Sequence, residues 1–410
     1  MTAALKNPKE ELGPVVGSPY TIGVIDVAVV GGGPAGLLSA SLIAEAGLEV
    51  VVLEEHDRIG SPTHCTGIAS LEIAEFVKIS DEMILSGVAR ARLIGPGGAH
   101  SDIRWASADK ERLFVLDRAA FDRGLAERAT RSGASVITGA RVDDIEVGGK
   151  RVMLRAGGRR VEARVCVLAC GVSYAFQRRL GLGLPAQLIH TAQVEVDAEP
   201  AEGVELYFGR SVAPDGFVWT VPIVREGRPR LKLGVMARGD AAECLRAFLE
   251  RSDVQRRLCS TPGEPIRRLL PLEPLPRTYA ERLLAVGDAG GFTKPTTGGG
   301  IFYSLLTASL AAETLIDAFQ AGRFDAPTLA RYERAWSRGL GQELRVANWL
   351  RGRLRRLTDP EIDRLIAAAA SDDVQALVQR TTRFNWHRDV IVALLRQPTI
   401  GALLAVSLLR

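Results

Sequence analysis

Residues 25–30, IDVAVV, run straight into GGGPAG, Gly31 to Gly36, and a chain written that way has few folds open to it. A short apolar, β-branched run ending at glycines reads as a buried strand. From Gly36 to Ala46 the residues favour a helix, and Gly47 is placed to end it. EVVVLEE, residues 49–55, reads as a second buried strand. A strand, a tight turn, a helix and a strand in that order imply a parallel sheet. The turn also holds G-x-G-x-x-G in the context that gives this spacing meaning, after a strand and at the start of a helix.

Each glycine has a mechanical reason. Gly31 permits the tight turn, Gly33 lets the backbone approach a pyrophosphate, and Gly36 lets helix and strand pack closely. Pro34 and Ala35 open the helix, whose free N–H groups present about half a positive charge to the phosphates. Glu54 ends the next strand, where a carboxylate can accept hydrogen bonds from the ribose hydroxyls of an adenosine. Glu55 competes for that place, but VVVLE carries the strand up to Glu54. The cluster implies a dinucleotide without saying which.

A second glycine cluster decides. GDAGGFTKPTTGGGIF, Gly287 to Phe302, follows the apolar run LLAV, residues 283–286. Gly287 gives a tight turn from which Asp288 can reach a polyol hydroxyl. Gly298, Gly299 and Gly300 then lead into another helix beginning at Ile301, with backbone N–H groups able to face a flavin's pyrimidine edge, where negative charge gathers on reduction. NAD needs no second site of this kind; FAD, with its ribityl chain and large ring, does.

The remaining chain reads as an α/β protein: a Rossmann-type FAD-binding domain, an antiparallel β-sheet substrate domain and a C-terminal helical region. Residues 187–240 alternate (AQVEVDAE, VELYFG, FVWTVPIV, RLKLGVM), as a half-buried antiparallel sheet does. The expected division is a disordered arm at 1–21, a discontinuous FAD-binding domain at 22–88, 112–186 and 276–325, a substrate domain at 89–111 and 187–275, and helices over 326–410. The arginine-rich RVANWLRGRLRRL reads as a solvated helix face. Fifty-two basic against 48 acidic residues leave a net charge of +4, too mild to call for a nucleic-acid partner. Five scattered cysteines without C-x-x-C or zinc spacing predict free thiols in a reducing cytoplasm and no metal. The tail VIVALLRQPTIGALLAVSLLR, cut by Arg396, Gln397 and Pro398, reads as two short core helices or, alternatively, as a peripheral membrane contact.

Taken together, these segments resemble the FAD-dependent geranylgeranyl reductases, within the wider group that includes the aromatic hydroxylases, over roughly residues 25–320. DVAVVGGGPAGLLSA…VVVLEEHDRIGSPTHC is similar to the family's N-terminal nucleotide site. VLDRAAFDRGLAERATRSGA resembles its arginine followed by phenylalanine and aspartate, which implies Arg118 beside the cofactor. GDAGGFTKPTTGGGI resembles its second flavin site, implying Asp288 on the ribityl chain and Gly300 and Ile301 at the ring; Val142 joins the implied cofactor contacts. PDGFVWTVP, Pro214 to Pro222, resembles the reductases' P-x-x-Y-x-W-x-F-P, with Phe217 in place of tyrosine, Val221 in place of phenylalanine, and Trp219 retained. VCVLACG has Cys170 where aromatic hydroxylases carry an acid, and a buried thiol is the expectation there.

The resemblance implies hydride transfer from reduced flavin to carbon–carbon double bonds of an isoprenoid chain. Cys65 and Thr66, in GSPTHCTG, become cofactor contacts, and Cys65 is the candidate catalytic proton donor. His64 and Tyr303 are the other groups able to deliver or relay that proton, although His64 reads first as a polar surface residue and Tyr303 as packing. Phe217 and Trp219 are the candidate substrate-binding residues. The electron donor is a nicotinamide, ferredoxin or another reductase, since no second G-x-G-x-x-G marks a separate NADPH site. Two rival functions share the pattern: an FAD-dependent monooxygenase or halogenase, which consumes oxygen in step with product, and a prenyl-binding escort that has lost the flavin.

Overall fold

The structure is a computed structural model that describes residues 21–104 and 112–406. The expected arm, apart from residue 21, lies outside the described residues.

The strand Thr21–Val30 pairs in parallel with Arg159–Leu168 on one side and Val50–Leu53 on the other. Leu283–Ala285 and Ser135–Ile137 extend the same parallel sheet outward. These strands are apolar without alternation because both faces are covered. Val27 and Val29 meet the helices Pro34–Glu45 and Ile301–Ala321, whereas Ile25, Ala28 and Val30 meet the opposite layer. Val142–Val147 and Val152–Ala156 form the antiparallel meander that returns to Arg159–Leu168.

A second sheet of seven strands runs in the order Ile266–Pro271, Leu188–Asp197, Arg228–Ala237, Phe217–Arg225, Val204–Phe208, Arg90–Ile94, His100–Arg104. Its pairings are antiparallel except that between Val204–Phe208 and Arg90–Ile94. Leu231, Leu233 and Val235 pack toward the helix Ala241–Leu249. The pleat therefore turns Lys232, Gly234 and Met236 to the other face. A small sheet of Ile68–Ser70, Leu113–Leu116 and Ile84–Val88 packs Phe114 and Leu116 into the core under the parallel sheet and Leu113 and Val115 against Val221 and Ile223 of the second sheet.

From Ile301 the described chain is helical: Ile301–Ala321, Ala326–Leu354, Asp359–Ala369, Asp372–Thr381, Arg388–Leu395 and Pro398–Val406. Ile301–Ala321 is long and apolar enough to cross a membrane, yet Leu305, Ala308, Ala312 and Leu315 lie buried in the core of the first domain. The tail forms the two short helices expected, with Ile391, Ile400 and Leu404 buried. The reading of the arginine run as a solvated face is corrected at Arg351. Its guanidinium donates to the carbonyls of Pro295, at 3.2 Å, and Asp215, at 2.5 Å.

Candidate active site

One cavity of about 1260 Å³ runs from the first glycine turn to the C-terminal helices. Gly31, Gly33, Pro34, Ala35, Glu54 and Val142 line its nucleotide end. Gly31 has φ +111°, and a Cβ there would overlap the Ala169 carbonyl, so the turn admits only glycine. A Cβ on Gly33 would meet no protein atom within 4 Å and would project into open space. Gly36 is instead a packing residue, since a Cβ would overlap the Gly31 carbonyl. Glu54 faces the glycine loop, accepting from the Gly32 N–H at 2.6 Å and the His56 N–H at 2.9 Å. Glu55 is exposed beyond it.

The second cluster closes over the middle of the cavity. Tyr174 donates to the Asp288 carbonyl at 2.6 Å, fixing the turn. The Asp288 carboxylate has no hydrogen-bond partner among the described residues, and burial pushes its pKa from 3.8 up to about 6 against the pull of Arg118. A Cβ on Gly300 would stand 3.0 Å from that carboxylate, one on Gly299 2.7 Å from Lys294 Cε, and one on Gly298 2.9 Å from Leu270. The three glycines therefore keep the cavity open beside Asp288, and Ile301 begins the helix at its edge. A cradle open at Gly33, an acid at Glu54 and an unpartnered carboxylate at Asp288 fit the phosphates, ribose and polyol chain of FAD.

Asp288 also sets a pH dependence. A carboxyl raised by folding keeps its proton longer in the native state, so its stabilising contribution is present below pH 4 and is lost as pH rises through 6. In protein stripped of flavin, Asp288→Asn should remove that slope. Urea denaturation should show the variant gaining about 2–3 kcal/mol on the wild type between pH 4 and pH 7. Parallel stability curves across that range would refute the assignment.

Cys65, Thr66 and Arg118 meet at the cavity wall next to this cluster. Arg118 grips Asp122 through three contacts, Nε to Oδ1 at 3.2 Å and Nη2 to both carboxylate oxygens at 3.0 Å. Burial works against its charge, but Asp122 and the adjacent Cys65 sulfur outweigh that and hold the guanidinium protonated. His64 is exposed at the edge of the cavity, as a polar surface residue would be; the protein packed around it and the nearby Arg268 and Arg118 charges lower its pKa to about 4, so its ring is neutral at pH 7. Tyr303 is withdrawn as a relay: it is 1% exposed, and its hydroxyl donates to the Asn385 carbonyl at 3.1 Å. Cys170 borders the nucleotide end, where burial pushes its thiol up to about 11.

Beyond the flavin-type site, the cavity floor is one face of the seven-stranded sheet. Phe217 and Trp219 both lie on it, with Leu206, Phe208 and Met236. Trp219 pairs in register with Gly234, and a Cβ there would overlap the indole ring. Among the described residues the buried indole N–H has no hydrogen-bond partner. The roof comes from C-terminal helices, none of whose residues was among the expected site residues: Leu350, Leu354, Val378, Val390, Ile391 and Leu394 line it. The turn before the helix Arg388–Leu395 is tied to Glu72, which accepts from Asn385 at 2.8 Å and Trp386 at 2.7 Å. Gly234, Lys232 and Gln193 also went unread. The signal available was a glycine and a lysine interrupting the alternation of RLKLGVM.

Comparison with known proteins bears on the family and the fold. Residues 24–262 match the FAD binding domain family. A digeranylgeranylglycerophospholipid reductase of Methanothrix thermoacetophila is 31% identical over 86% of this chain and 93% of its own. Digeranylgeranylglycerophospholipid reductase 2 of Methanothermobacter thermautotrophicus is 32% identical, again over 86% and 93%. The crystal structure of a geranylgeranyl bacteriochlorophyll reductase-like protein from Thermoplasma acidophilum superimposes with a TM-score of 0.82, covering 94% of this chain and 99% of that one at 22% identity.

Proposed function

The chain belongs to the geranylgeranyl reductase family of FAD-dependent oxidoreductases, and from that premise we propose that it saturates carbon–carbon double bonds of a prenyl lipid. The observation that carries the reading is the continuity of one cavity from Asp288 and Cys65 to an apolar region lined by Phe217, Trp219, Leu354 and Ile391. The names of the relatives favour a glycerophospholipid bearing geranylgeranyl chains as the substrate class.

FAD, when bound, supplies the hydride. Gly31, Gly33, Pro34, Ala35 and Glu54 would hold its adenosine diphosphate part, and Asp288, Gly298 to Gly300, Ile301, Thr66 and Val142 would hold the rest. A double bond remote from any carbonyl offers no oxyanion to stabilise, so the protein's task is to place the chain and to protonate the carbon that does not receive hydride. The Cys65 thiol delivers that proton, and the Arg118 cation beside it stabilises the sulfur left behind. Phe217 and Trp219 orient the chain and exclude water.

Anaerobic incubation of the reduced enzyme with geranylgeranyl lipids should give products heavier by two-dalton steps in mass spectrometry. No increment with any prenyl chain would overturn the reading. An oxygen electrode separates it from a monooxygenase or halogenase, which would take up oxygen with turnover. The donor is a reduced nicotinamide or a ferredoxin, identified by which of them bleaches the bound flavin. The lipid substrate and the free cysteines support a cytoplasmic protein in peripheral contact with a membrane.

A further inference from the structure

Lys232 is a lysine with no role in the chemistry above, yet it is only 2% exposed. It projects from the middle of Arg228–Ala237 on the same face as Gly234 and Met236. Its ammonium donates to the Thr66 carbonyl at 2.9 Å and lies 3.5 Å from the Cys65 carbonyl. Gln193, on the neighbouring strand Leu188–Asp197, accepts from the Thr66 hydroxyl at 2.8 Å. Two side chains of the substrate sheet thus hold the backbone and side chain of a dipeptide that belongs to the other domain.

The same sheet holds Arg118. Asp117 caps the helix Arg118–Arg131 by accepting from the Ala119 and Ala120 N–H groups. Its other oxygen receives the Arg225 guanidinium at 2.8 Å, and Arg225 also binds Glu195 at 2.9 Å. Cys65 and Arg118 arise from separate segments of the first domain, and their common support is the second sheet. Burial lowers the Lys232 pKa, while Cys65, Glu195 and Asp117 favour its charge. An ion this enclosed is costly unless its protons are used, and here they are used on the Cys65–Thr66 carbonyls.

We propose that Lys232, assisted by Gln193, is a positioning residue that sets Cys65 against Arg118 and the reacting end of the cavity. The substrate sheet thereby acts on the chemistry as well as on the prenyl chain. The proposal rests on Cys65 being the proton donor, and its test includes readouts that do not depend on turnover.

Lys232→Met keeps the bulk of the stem and removes the donor. The variant should hold FAD and melt within a few degrees of the wild type. Its kcat for prenyl reduction should fall roughly ten- to hundredfold with KM little changed, and Lys232→Arg should restore part of the rate. Independently of activity, iodoacetamide labelling of the Cys65 peptide, followed by mass spectrometry, should change rate in Lys232→Met, and the visible spectrum of the bound flavin should shift. If Lys232→Met does not fold, Gln193→Leu carries the same expectations through the companion tether. Unchanged labelling and spectrum overturn the proposal, whether kcat is unchanged or falls together with the melting temperature. If the wild type reduces no prenyl lipid but labelling and spectrum respond, the positioning stands and the substrate assignment fails.

Discussion

Gly33→Val should give a folded, colourless protein. The position is set apart from its neighbouring glycines by what surrounds it: a side chain there meets no protein and enters the cavity directly. A valine would occupy the space through which the N-terminus of the helix Pro34–Glu45 would face the pyrophosphate of a bound FAD. Several charge-assisted hydrogen bonds would be lost together, each worth about 1.5–3 kcal/mol. Losing two of them weakens affinity by roughly 10²–10⁴-fold. Because no atom is displaced in the fold itself, the melting temperature of the flavin-free variant should match that of flavin-free wild type. Gly36→Val makes the contrast, since it collides with the Gly31 carbonyl and should lose stability along with flavin. The ratio of visible flavin absorbance to protein, read with a thermal melt, decides the matter. A Gly33→Val protein that purifies with a full complement of FAD would remove the glycine loop from the site.

The two glycine clusters were legible because their constraint is local. Gly31 must adopt a conformation closed to other residues, and Gly298 to Gly300 must stay small against Leu270, Lys294 and Asp288, so the spacing, read with the flanking strands and helices, exposes them. Phe217 and Trp219 were legible through PDGFVWTVP, a short pattern on one strand. Lys232 and Gln193 were not, because their partners Cys65 and Thr66 lie more than a hundred residues away and are met only when two sheets close on each other. Tyr303 packs, as expected first of it, but the sequence left a relay role open for a different reason. The helix Ile301–Ala321 is buried around most of its circumference, so no amphipathic stripe marks which side faces a cavity. The tunnel roof failed similarly: Leu350 and Leu354 sit inside an arginine-rich stretch whose composition suggests solvent, and only the packing of that helix turns them inward.

Cys65→Ala should retain FAD and lower the rate of prenyl reduction by roughly 10²–10⁴-fold, the usual worth of a positioned general acid. That corresponds to about 3–5 kcal/mol in the barrier. The argument is one of elimination joined to geometry. Tyr303 is turned away to Asn385, and His64 is neutral and carries no proton it readily gives up at pH 7. Arg118 acts oppositely on Cys65 and His64: it lies in hydrogen-bond contact with the Cys65 sulfur, where a cation favours the negative charge left by a departing proton, whereas near His64 it opposes positive charge on the ring. Cys65→Ser should be nearly as slow, because a hydroxyl is a far weaker acid than a thiol, whereas Tyr303→Phe and His64→Ala should stay within a few-fold of the wild type. Stopped-flow measurement separates the half-reactions. Reduction of the flavin by its donor should be unaffected by Cys65→Ala, and reoxidation by the prenyl chain should carry the whole loss. A residue that merely touched the isoalloxazine would disturb both. Reoxidation of Cys65→Ala at within threefold of the wild-type rate would mean that the proton comes from elsewhere, and the neutral His64 ring with a water behind it would then be the next group to replace.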